Sequence, residues 1–147
     1  MNEEVKLFFT NNNYVLNKNL EGISQEESLK CPDAGGNCLN WIVGHIVVTR
    51  DSLHELLGVE KMCSDKIVGL YKRGSVPINA ENAEGIENLL KMYNDSQEKI
   101  IKILDEKDYK EDLEKSNELA GSGFHEAYHV GQTGVLRRVA GKPGAIK

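Results

Sequence analysis

Four separate stretches of this chain place apolar residues at three- and four-residue steps, and none sustains an alternation of apolar with polar, so the backbone is expected to form helices that each bury one side. The first stripe, Val5, Phe8, Phe9, Val15, Leu16 and Leu20, predicts a helix from Glu3 to Leu20 with Asn12 inside the stripe. The second, Leu39, Ile42, Val43, Ile46, Leu53, Leu56 and Leu57, has defined ends: Asn37 can cap it after a double glycine, and Gly58 can close it. The third, Ile86, Leu89, Leu90, Tyr93, Ile100, Ile101 and Leu104, predicts a helix over 83–104 with Gln97 in its apolar face. The fourth is expected to begin near Ser122 and stop at Gly141, with Arg137 and Arg138 in the last turn, where positive charge complements the helix dipole. Four amphipathic helices without strands predict an all-α four-helix bundle.

The intervening segments read as connections. Glu21 to Gly36 carries a capping-box pattern from Ser24 to Glu27, a proline and the double glycine, which predicts a loop with one helical turn. Val59 to Asn82 is too long for a tight hairpin and predicts a long crossover between the second and third helices. The charged run Asp105 to Glu118 reads as a solvated surface segment. At 147 residues the chain has the size of one ordinary domain spanning 1–147.

Charge and composition narrow the partners. A formal net charge of −5 with scattered Lys and Arg argues against nucleic acid, which needs clustered positive charge. No run of about 18 apolar residues suggests a membrane span. Cys31, Cys38 and Cys63 form an odd set without a C-x-x-C spacing, so neither a disulfide framework nor a thiolate zinc site is indicated. Free thiols fit a reducing compartment, and a cytoplasmic location is expected.

Chemistry concentrates in the histidines. His125 and His129, in the string His125-Glu126-Ala127-Tyr128-His129, stand one turn apart on nearly the same helix face, so both rings can reach one ion. His45 lies at the edge of the second apolar stripe and is expected to face inward, either bonded to a backbone carbonyl or Gln97 as a core histidine, or sharing an ion with the pair. His54, nine residues on and rotated by roughly 180°, is expected to face solvent. The string also matches H-E-x-x-H, in which the glutamate is a general base, but no His, Asp or Glu follows His129 to supply a downstream ligand. Glu126 is therefore a candidate catalytic group or a salt-bridged glutamate. Gln132, seven residues from His125, shares its stripe and can orient a ligand or make an interior hydrogen bond. Trp41 precedes His45 by one turn as a candidate pocket wall, whereas Cys38 lies about 10 Å from His45 along the axis, too far to ligate. Ala127, Gly131 and Gly134 form a small-residue stripe suited to close helix approach.

Gly35-Gly36-Asn37 leading into Asn40-Trp41-Ile42-Val43-Gly44-His45-Ile46, then His125 to Gln132 and Leu136-Arg137-Arg138, resemble the DinB-like superfamily in residues, order and spacing. The resemblance implies a four-helix bundle with a long crossover, often dimeric, that holds nickel, zinc or a similar divalent ion through His45, His125 and His129. Some members are transferases or isomerases dependent on a low-molecular-weight thiol such as bacillithiol, mycothiol or glutathione. The expectation is a metal-dependent transferase joining a thiol to a small-molecule substrate, with Gln132 and Glu126 positioning reactants. A hydrolase using metal-bound hydroxide and a non-catalytic metal-stabilised binding bundle stand as alternatives.

Overall fold

A computed structural model describes residues 2–146 and contains six helices: α1 (Asn2–Leu20), α2 (Gln25–Ser28), α3 (Leu39–Leu57), α4 (Asp65–Tyr71), α5 (Ile86–Glu106) and α6 (Leu113–Val139). No strand occurs among the described residues, and the protein is an all-α bundle. The long helices form a ring in which α1 and α3 each pack against both α5 and α6. Side-chain bonds fix their directions: Asn12 to the Gly123 carbonyl and Asn19 to Thr133 run α1 beside α6 in the same sense, and Arg50 to the Tyr93 carbonyl with His54 to Ser96 does the same for α3 and α5. Asn13 to Asn94 and the Lys6–Asp105 pair set α1 against α5 in the opposite sense. The 59–85 connection therefore returns along the bundle, and α4 packs on α3 on the way.

Local chemistry explains most of the boundaries. Gly58 ends α3 at φ 71°, a left-handed conformation that a Cβ would strain, and its N–H and that of Val59 satisfy the carbonyls of Glu55 and His54. Ser24 and Glu27 close the expected capping box around α2. Ser64 caps α4 through its hydroxyl, and Asp112 caps α6 through its carboxylate. At the far end of α6, buried Arg137 donates to the carbonyls of Asn19, Glu21 and Pro143, fastening this helix to the end of α1.

Three boundaries differ from the sequence expectation. α3 begins at Leu39 with Cys38, not Asn37, at the cap, and α5 begins at Ile86 after Gly85. The last helix starts at Leu113, nine residues before Ser122. Its first turns bury Ser116 and Leu119 beneath an otherwise charged surface, so the 105–118 run is only in part a solvated connection.

The core has two halves. One gathers Leu16, Ile42, Val43, Ile46, Leu89 and Val130 around the start of α3; the other gathers Val5, Phe9, Leu53, Leu57, Ile100 and Leu119 around its end. Between them lies a buried polar layer built on Arg50 and Glu126. No described helix is long and apolar enough to cross a membrane.

Candidate metal centre

α3 runs antiparallel to α6, which brings the start of one helix to the end of the other and sets His45 opposite His125 and His129. One imidazole nitrogen from each ring lies within 4.8 Å of those of the other two. The Nε2 atoms of His125 and His129 are 3.2 Å apart. Two nitrogens on a tetrahedral ion at 2.0–2.1 Å stand about 3.3–3.4 Å apart, so this pair already has nearly the spacing of two ligands. Ring centroids are separated by 4.6 to 5.4 Å around the three pairs, with interplanar angles of 64–77°, as for rings converging edge-on upon a point.

Two rings have their far nitrogen tied back. His45 Nδ1–H donates to the Tyr71 carbonyl at 2.9 Å, and His129 Nδ1–H donates to Gln132 Oε1 at 2.8 Å. Each bond selects the tautomer whose Nε2 lone pair faces the cluster, the arrangement found behind metal-ligating histidines. Burial, the largest influence on each, holds all three rings below the ordinary imidazole value of 6.5; His45 is pushed further by His129 and Arg73, His125 by His45, and His129 by His125. All three are therefore neutral at pH 7, the form that binds a cation. The donor set fits a divalent ion such as nickel or zinc.

The cluster opens onto a cavity of about 620 Å³ whose wall includes Asn37, Trp41, His45, Arg73, Ser75, His125, Tyr128, His129 and Gln132. Trp41 stacks on His45 with centroids 4.7 Å apart and rings 9° from parallel, and its indole N–H donates to Ser75 Oγ at 3.0 Å. An ion held by the three imidazoles would have the cavity on its other side, with room there for a further ligand. Cys38 lies outside this cluster, and burial raises its thiol pKa; burial pushes Cys63 up to about 12, so neither is an activated nucleophile.

Glu126 points elsewhere. It is buried on the core side of α6, where its Oε2 accepts from Arg50 Nε at 2.7 Å and its Oε1 from Arg50 Nη2 at 2.9 Å and the Tyr93 hydroxyl at 3.1 Å. Arg50 further donates to the Tyr93 carbonyl and to Gln97 Oε1, with its guanidinium 3.8 Å from the centroid of the Tyr93 ring. Gln97 thus serves Arg50 and not His45. Both carboxylate oxygens are engaged, and Glu126 is absent from the wall of the cavity that the three histidines share.

His54 departs from its expected exposure: it is fully buried, its Nδ1–H donating to the Glu60 carbonyl and its Nε2 accepting from Ser96. Rotation by half a turn leads to solvent only when a helix has one covered face. α3 is covered on both, because the chain after Gly58 folds back over it and Asp51 accepts the N–H groups of Met62 and Cys63. The small-residue stripe also divides. A Cβ on Gly134 would meet the Asn19 amide at 3.5 Å, but Gly131 is exposed with open space where a Cβ would stand. The close approach falls instead at Gly44, where a Cβ would lie 2.1 Å from the Tyr71 ring.

Arg50, Tyr71 and Arg73 contribute to this architecture without having been singled out in the sequence. Arg50 continues the buried stripe of α3 at the step after Ile46, a charged residue at an interior position, and that was its signal. Tyr71 and Arg73 carry none, because their roles come from a connection folding onto another helix. Comparison with protein-family models and with curated proteins finds no match to this chain.

Proposed function

We propose that this protein is a cytoplasmic, metal-dependent enzyme that joins a low-molecular-weight thiol to an electrophilic small molecule. The observation that carries this reading is the convergence of three neutral imidazoles, two with their tautomers fixed by hydrogen bonds, at the wall of a cavity large enough for a small molecule. The resemblance of the His45 and His125–Gln132 segments to the DinB-like superfamily supplies the thiol. A divalent ion held by His45, His125 and His129 would favour loss of the thiol proton at neutral pH, supplying a nucleophilic sulfur.

The remaining work falls to residues of the chain. The Tyr71 carbonyl and Gln132 Oε1 keep the imidazoles in the ligating tautomer, Trp41 walls one side, and the Gln132 amide keeps N–H donors for a ligand. In the transfer, sulfur forms a bond to the electrophilic carbon, the leaving group departs with the bonding pair, and the thiol proton passes to solvent. The hydrolytic alternative loses support because its general base, Glu126, is committed to Arg50 and Tyr93.

The test is turnover by nickel- or zinc-loaded protein offered several thiols with a haloaromatic electrophile. Product above the uncatalysed rate, lost in His129→Ala, is expected. Background rates in every pairing would overturn the enzymatic reading in favour of a metal-stabilised binding bundle.

A further inference from the structure

The wall of the cavity beside the histidines contains one charged side chain, Arg73, and no carboxylate. Its position is set by two anchors on α3. The Tyr71 carbonyl is bound by His45 and Ser75 Oγ by Trp41, while the Ser75 N–H bonds to the Lys72 carbonyl in a turn that needs Gly74 at φ 77°. The two anchoring rings are stacked on each other, so the strap between them, with Arg73 at its middle, is pinned at the rim of the cavity.

The guanidinium there is uncommitted. Arg50 is paired with Glu126 and Arg137 with backbone carbonyls, but Arg73 makes no ion pair or hydrogen bond with any described residue. In a chain of net charge −5, an arginine left unpaired beside a cation-binding cluster marks a locally positive mouth. The other polar groups of the wall include Asn37, Tyr128 and Gln132, each of which carries an N–H or O–H donor.

We infer that Arg73 is the specificity-determining residue of this site and that the thiol it admits carries a carboxylate, which pairs with the guanidinium while the sulfur faces the imidazoles. The inference rests on the proposed thiol chemistry and adds to it the class of thiol. A planar guanidinium with five donors suits a carboxylate better than a lysine would. The cavity volume accommodates a tripeptide-sized molecule.

The experiment uses cobalt-loaded full-length protein, titrated with glutathione and with its diethyl ester, the same thiol with both carboxylates masked. Appearance of sulfur-to-cobalt charge-transfer absorption reports binding without turnover. Wild type is expected to bind the acid about tenfold more tightly than the ester at low salt, the usual scale of one charge-assisted contact, with the gap narrowing as salt rises. Arg73→Ala should weaken the acid about tenfold and leave the ester unchanged, and Arg73→Lys should fall between. Equal affinities for acid and ester in wild type, or an Arg73→Ala variant with unaltered binding of the acid, would overturn the role of Arg73 while leaving the thiol reading intact. Bound cobalt with no such band for either thiol would overturn the thiol reading and this inference together.

Discussion

Replacing Glu126 by Gln separates a structural carboxylate from a catalytic one. In the folded protein Glu126 neutralises Arg50, which is 1% exposed, through two direct contacts of 2.7 and 2.9 Å. Glutamine offers one acceptor where two are needed and turns an N–H2 toward an N–H donor of Arg50, leaving a buried guanidinium without a counter-charge. Removing one partner of a buried pair costs about 3–5 kcal/mol, and near-isosteric glutamine falls toward the lower end. An unfolding entropy of about 2.1 cal/mol/K per residue gives about 0.31 kcal/mol/K for this chain, so 3 kcal/mol lowers Tm by about 10 °C. Calorimetry on Glu126→Gln, Arg50→Met and the double variant Arg50→Met/Glu126→Leu provides the assay. The double variant should recover most of the loss, because a well-packed apolar pair removes the desolvation cost of both charges. A Glu126→Gln protein that melts within about 3 °C of wild type, retains its metal and yet loses turnover would refute this reasoning and restore the general-base role.

Gly44→Ala should destabilise by about 3 kcal/mol, the upper range for overpacking, since its Cβ would meet the fully buried Tyr71 ring at 2.1 Å; because Tyr71 also orients His45, urea unfolding and metal titration should worsen together. Gln132→Leu should weaken metal binding about 10- to 100-fold, measured by competition with a chromogenic chelator, while leaving the fold unchanged in circular dichroism. Metal-free protein should lose stability as pH falls below about 6.5. Burial lowers the folded-state pKa of His54, so its contribution is complete above the ordinary imidazole value and is lost as pH descends from there toward the folded-state value. His54→Gln should flatten the dependence of Tm on pH between roughly 7.5 and 5.5, and an unchanged slope would contradict this account.

The legible parts of the fold were those written in apolar side chains and backbone chemistry. The end of α3 could be placed at Gly58 because a left-handed terminus needs glycine, and the box around α2 because Ser24 and Glu27 satisfy each other within four residues. The start of α6 is hidden in the sequence because its buried face runs Ser116, Leu119, Gly123, Glu126, Val130 and Thr133. Its spacing is helical, yet four of these six are polar or side-chain-free, so hydrophobic periodicity passes over it. His125 and His129 were visible as a pair through their spacing, and the inward face of His45 through the stripe beside it. Burial of His54 needs the chain after Gly58 to fold back and Ser96, 42 positions on, to meet its ring, and Glu126 meets Arg50 76 positions away, none of which a helical periodicity encodes.

The proposed function depends on one claim, that a divalent ion is held between α3 and α6 by His45, His125 and His129. The most direct test is elemental analysis of protein purified without added metal, repeated on His45→Ala and His125→Ala variants shown to be folded by circular dichroism. About one divalent ion per chain in wild type, falling to near none in both variants, is predicted. Metal-free wild type that also fails to take up nickel or zinc, or variants that keep the full complement, would contradict it.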